Sequence, residues 1–123
     1  MHRSLLSTFM IDVPSADLDA TVAFWSGALG ATPTQTKMPQ YHILDDAAPP
    51  NRVVIQDSGP GEARIHFDIH TDDLEAEVAR LEALGAKRVE KIKTWWVLEA
   101  PTGQRFCVVR AQRGSLGDDA NTW

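Results

Sequence analysis

Apolar and polar residues alternate in two short stretches of the chain, and a run of longer period follows each. In the first stretch Phe9, Ile11 and Val13 alternate with Thr8, Met10 and Asp12. In the second, Phe67 and Ile69 alternate with His66, Asp68 and His70. Period two predicts a half-buried strand in each place. The longer-period runs carry Leu18, Val22, Trp25 and Leu29, then Leu74, Val78, Leu81 and Leu84. That spacing predicts a helix with one packed stripe. Asp72 followed by Glu75 has the form of a capping box, with Asp72 accepting from free amides of the first turn. Gly30 and Gly85 can take the left-handed conformation that ends a helix.

The two regions are copies of one unit. "TFMIDVPSADLDATVAFWSGALGA" (8–31) aligns with "HFDIHTDDLEAEVARLEALGA" (66–86), matching Phe9 to Phe67, Ile11 to Ile69, Val22 to Val78, and Leu-Gly-Ala at both ends. Short β-like pieces follow each helix: about 31–35, 41–44 and 52–56, then 87–92, 94–99 and 105–110. Turn residues in "DDAAPPN" and "EAPTGQ" precede the last piece of each copy. The expected architecture is α+β, with the order β-α-β-β-β occurring twice. Module one runs over about 5–57 and module two over about 64–111. Phe9, Ile11, Phe67 and Ile69 are expected under the helices. Two curved mixed sheets would then enclose a cleft, with the helices on the outer face. Thr8, Met10, Asp12, His66, Asp68 and His70 would project into that cleft.

Composition narrows the function. The chain has 123 residues, enough for one domain over 1–111. Apolar residues are 43% and charged residues 24%, a globular balance. A net charge of −5 argues against nucleic acid, which needs a Lys/Arg surface. The densest basic stretch, Lys87, Arg88, Lys91 and Lys93, reads as a solvated strand face. No stretch is long and apolar enough to span a bilayer, and the opening lacks the apolar run of a signal peptide, so a cytoplasmic location is expected. The single Cys107 suits a reducing compartment. Residues 112–123 are polar apart from their end and read as a loose C-terminal tail.

The duplicated pattern, with "DLDATVAFWSGALGA" in one copy, "HFDIHTDDLEAEVARLEALGA" in the other and the closing "WWVLEAPTGQRFCVV", resembles the vicinal oxygen chelate superfamily. That group includes glyoxalase I, extradiol dioxygenases, fosfomycin-resistance enzymes and bleomycin-resistance proteins. The "HFDI…FCVV" pattern is most similar to small bacterial glyoxalase-like proteins. The resemblance implies four metal-ligand positions on the first and last strands of the modules. Carried over, they fall on Thr8, Gln56, His66 and Cys107. His66 matches, and it is the best metal candidate, followed by Gln56 and Cys107. Thr8 stands where His or Gln is typical, Gln56 where Glu or His is usual, and Cys107 where Glu is expected. A neutral hydroxyl, an amide and a soft thiol make a poor set for a hard divalent cation. No cofactor is therefore expected, although a divalent metal is the superfamily's usual one. The resemblance also implies a homodimer.

His66 and His70 share a strand face, not a helical one, so they form no helical zinc pair. They are either ordinary polar groups of the cleft or ligand contacts, with Asp68 or His70 setting the tautomer of His66. Trp95 and Trp96 are adjacent on a strand and face opposite sides, one under the helices and the other beside the cleft. Cys107 is either a small buried side chain or a thiol lining the cleft. Trp25 belongs to the core, and His42 is either structural or at the cleft rim.

Three functions fit. The first is a protein that binds a small organic molecule in a metal-free cleft between its paired modules, as bleomycin-resistance relatives do. The second is a metal-dependent lyase, isomerase or dioxygenase. The third is an interaction module with a filled cleft. The altered ligand set favours the first.

Overall fold

A computed structural model describes residues 1–14 and 17–123. Ser15 and Ala16, in the turn expected before the first helix, lie outside the described residues. The elements are β1 (Arg3–Val13), α1 (Leu18–Leu29), β2 (Thr32–Gln35), β3 (Tyr41–Ala48), β4 (Asn51–Asp57), β5 (Arg64–Thr71), α2 (Leu74–Ala83), β6 (Lys87–Ile92), β7 (Trp95–Glu99), β8 (Arg105–Arg110) and β9 (Asn121–Thr122). The order β-α-β-β-β occurs twice, as the alternation predicts. The residues group into two compact units, Thr8–His66, and Met1–Ser7 with Phe67–Trp123.

In the Thr8–His66 unit β2, β3 and β4 form an antiparallel meander, and β4 then runs parallel to β1. A strand cannot return parallel to its neighbour without a crossover, and α1 is part of that crossover. Its core is Ile11, Val13, Val22, Leu44, Val53 and Ile55, with Phe9, Leu18 and Trp25 packed against it. The α1 stripe ends early, because Leu29 is exposed. Asp17 caps the helix by accepting from the Ala20 amide, and Gly30 closes it at φ 64°. The "DDAAPPN" stretch is not all linker: β3 continues to Ala48 past a register shift at which Asp46 has φ 57°.

The second unit repeats the plan. β6, β7 and β8 form the meander and β8 runs parallel to β5. Leu74, Val78 and Leu81 of α2 are buried with Leu98 and Val108, and Ile69 and Trp96 pack on them. Fully burying such side chains stabilises by about 1.5–3 kcal/mol each. Three expectations fail here. Leu84 is exposed at the end of the stripe. Phe67, expected in the core, is 51% exposed. The α2 cap is Asp73, which accepts from the Ala76 amide, while Asp72 accepts from the Arg3 amide at 2.8 Å.

The tail is not loose at its end. Thr122 and Asn121 pair with Arg3 and Ser4 of β1, and the Trp123 indole donates to the Ser4 hydroxyl at 2.9 Å. The Trp123 ring lies 3.7 Å from the Arg80 guanidinium. Arg80 in turn makes two 2.8 Å hydrogen bonds to Glu77, which has no exposed surface. His2 Nε2 lies 2.8 Å from the same carboxylate. Burial alone pushes the Glu77 carboxyl up, but hydrogen bonds from Arg80, His2 and Ser4 outweigh it and hold it below the ordinary carboxylate range. Among the described residues no helix is long and apolar enough to cross a membrane.

Candidate functional site

The polar groups of the Thr8–His66 unit converge on Asp12. The parallel register of β1 and β4 sets Asp12 directly across from Gln56. Gln56 Nε2 donates to Asp12 Oδ1 at 2.9 Å. His66 Nδ1 lies 2.6 Å from Asp12 Oδ2. The side chains of His66 and Asp12 keep only 11% and 8% of their surface. Strand alternation explains the polarity of this set, since Ile11 and Val13 turn into the core while Asp12 turns away.

The arrangement has definite chemical consequences. An ionised carboxylate accepts only, so His66 presents its Nδ1 proton to Asp12. That bond fixes the orientation of the ring and favours the tautomer with its proton on Nδ1. The Gln56 amide oxygen is an acceptor of fixed direction, because the amide nitrogen is turned to Asp12. A fixed acceptor can hold a donor group of a small molecule. A carboxylate–imidazole pair can also take a proton.

Alternation puts Asp12 on the polar face but does not mark it out from Thr8 and Met10 beside it. The resemblance put the first ligand position at Thr8, and Thr8 is buried in register with Arg52, not with Gln56. The remaining expected positions belong to the other unit. There Asp68 is in register with Cys107, and His70 with Val109. Trp96 is on the helix side: it packs against the Leu98 and Val108 core and its indole donates to Glu75 at 3.2 Å. Hydrogen bonds from Arg88 and from that indole hold the Glu75 carboxyl below its usual range. Trp95, the next residue along β7, therefore faces away from the helix. His42 is buried on the core side of β3, across from Ile55, and is not at a rim.

The superfamily's divalent metal can be tested against the donors of the Thr8–His66 unit. Such a cation wants several hard donors, charged ones among them. Both oxygens of Asp12 already accept protein hydrogen bonds. Asp12 is then the one charged donor of the set, and the Gln56 amide oxygen and the His66 ring beside it are neutral-type donors. These residues do not fit a hard divalent cation.

Two βαβββ units with the last strand parallel to the first, and a polar strand face beside a helix-packed core, define the class of glyoxalase-type folds. Residues 8–109 match the glyoxalase-like domain family, and the chain belongs to it. Its solved structural neighbours lie in the glyoxalase/bleomycin resistance/dioxygenase superfamily. A hypothetical protein, BH1468, from Bacillus halodurans C-125 superposes with a TM-score of 0.66 at 13% identity, covering 93% of this chain and 99% of that one. A methylmalonyl-CoA epimerase bound to methylmalonyl-CoA gives 0.57 at 18% identity, covering 90% and 96%. A glyoxalase/bleomycin resistance protein/dioxygenase superfamily member from Vibrio splendidus 12B01 gives 0.53 at 15% identity, covering 90% and 100%. At these identities the likeness is one of fold. No curated protein matches the chain.

Proposed function

We propose that the protein binds a small organic molecule at the polar face of the Thr8–His66 unit, without a catalytic metal. One observation carries this reading. Both oxygens of Asp12 are engaged by Gln56 and His66, so the carboxylate orients those two side chains. The Gln56 amide oxygen, oriented by the bond from its nitrogen to Asp12, suits a ligand with a hydroxyl, amide or amine donor, and the His66 ring stands beside it. The reading takes the protein to be cytoplasmic and a homodimer; sedimentation of the purified chain checks the oligomeric state.

A thermal-shift screen of small hydroxylated and amine-bearing molecules, run with EDTA present, tests the binding. The reading expects compounds that raise Tm in EDTA and lose that effect in His66→Ala. Compounds that act only with added divalent metal, or equally on His66→Ala, would overturn it.

A second reading, a metal-dependent lyase, isomerase or dioxygenase, has one observation in its favour. An imidazole, a carboxylate and an amide oxygen converge, and these are donor types that hold divalent cations. It requires Asp12 to give up a hydrogen bond on metal binding. Elemental analysis of untagged protein decides it: stoichiometric metal lost in His66→Ala supports this reading, and substoichiometric metal indifferent to that change removes it.

A further inference from the structure

Large apolar side chains exposed on a small unit call for an explanation. In the unit formed by Met1–Ser7 and Phe67–Trp123, Phe67, Leu6 and Trp123 are 51%, 38% and 47% exposed. All three line one recess of about 270 Å³, and Leu5 and Ile69 complete its apolar wall. Phe67 and Ile69 alternate along β5 with His66, Asp68 and His70, so the recess uses the other face of that strand from the polar one.

The charged groups at the recess are already matched. Glu77 is fully buried and receives two hydrogen bonds from Arg80, with His2 as its third neighbour. The Trp123 ring covers the Arg80 guanidinium. An incoming anion would compete with Glu77 for Arg80, and an incoming cation would compete with Arg80 for Glu77. Either exchange opens a buried pair and leaves one charge without its partner. An uncharged occupant avoids that cost. Asn121 adds a carboxamide to the lining, while the Ser4 hydroxyl is engaged with Glu77 and the Trp123 indole.

Size restricts the occupant further. A dry apolar cavity of about 150 Å³ takes benzene, and drug-sized ligands need about 300 Å³ or more. The recess lies between the two.

We propose that this recess is a second binding site, which takes an uncharged aromatic molecule of one ring with a polar substituent, seated against Phe67 and Trp123.

Benzyl alcohol, benzoate and benzylammonium share one apolar body and differ in charge at pH 7. Each is titrated into ¹⁵N-labelled protein and followed by NMR. The Trp123 indole N–H, held by Ser4, and the amides of Phe67 and Ile69 are the reporters. Benzyl alcohol is expected to give saturable shifts there, and the two ions to bind at least about tenfold more weakly, because a charge in this setting lacks a free partner. Phe67→Ser is expected to weaken benzyl alcohol by about tenfold or more through the lost ring contact. Leu6→Ser, at a second exposed wall residue, gives the same reading if Phe67→Ser does not fold. Absence of a saturable shift, equal binding of all three compounds, or unchanged binding by both variants overturns the proposal. Movement of the same resonances with protein concentration alone also overturns it, and assigns the recess to a second copy of the chain.

Discussion

His66 Nδ1 lies 2.6 Å from one oxygen of Asp12, while the other oxygen accepts from Gln56. With both ring and carboxylate nearly buried, water does little to replace this bond if it is lost. Asp12→Asn keeps the shape but replaces one acceptor oxygen by a donor nitrogen, which then faces either Gln56 or His66. The expected loss is about 1.5–3 kcal/mol, the range for hydrogen bonds to charged groups. His66→Ala and Asp12→Asn should not add: a double-mutant cycle by urea denaturation should give a coupling of roughly 1 kcal/mol or more. Additivity within about 0.5 kcal/mol would mean that the pair does not act as a unit.

Glu77 predicts how the protein responds to acid. Its folded carboxyl titrates below the ordinary value of 4.5, because hydrogen bonds from Arg80, His2 and Ser4 outweigh the effect of burial. A depressed pKa means that the unfolded chain takes up the proton first as pH falls. The stabilisation is therefore complete above about pH 4.5 and is lost as pH drops through the lower folded value. Glu77→Gln leaves Arg80 without its countercharge and should cost about 3–5 kcal/mol at neutral pH. The gap between wild type and Glu77→Gln should narrow steadily below pH 4.5 in denaturation series at fixed ionic strength. A gap independent of pH would contradict the assignment.

The architecture was legible because strand and helix periods are local signals and the chain states them twice. The site was only half legible. Alternation along β1 and β5 put Asp12 and His66 on polar faces, but which polar residues meet depends on register. The parallel pairing of β1 with β4 brings Asp12 to Gln56, while Thr8 falls beside Arg52. The length and path of the chain between β1 and β4 set that register, and they have no periodicity to read. Phe67 looked like core by its phase. It is exposed because the α2 stripe of Leu74, Val78 and Leu81 packs on Ile69 instead. No local pattern singles out Glu77, His2 or Trp123. Their shared cluster joins residues 2, 77, 80 and 123, a separation that no short-range pattern records.

The helix cap gives a sharp test of neighbouring aspartates. Asp73 accepts from the Ala76 amide, and Asp73→Ala should cost about 1 kcal/mol, as for other lost N-caps. Asp72 instead accepts from the Arg3 amide. Asp72→Ala should therefore speed hydrogen exchange at Arg3 and leave the first amides of α2 protected. Faster exchange at Ala76 in Asp72→Ala, with no change in Asp73→Ala, would return the cap to Asp72.

His42 offers the opposite case, a polar side chain whose removal should help. It is 9% exposed on the core side of β3, across from Ile55, and its Nδ1 has no hydrogen-bond partner among the described residues. A buried polar atom left without a partner costs about 1–3 kcal/mol relative to water. Leucine is close in size, and Leu44 and Ile55 already make this surface aliphatic. Replacing both the cost and the ring by an apolar side chain should raise stability by roughly 1 kcal/mol, since some ring packing is lost as the penalty disappears. Urea denaturation of His42→Leu at neutral pH, with an unchanged m-value, measures this directly. A loss of stability would show that the ring makes a bond worth more than the orphaned nitrogen costs. His42→Phe separates the two effects, because it keeps a ring and removes both nitrogens.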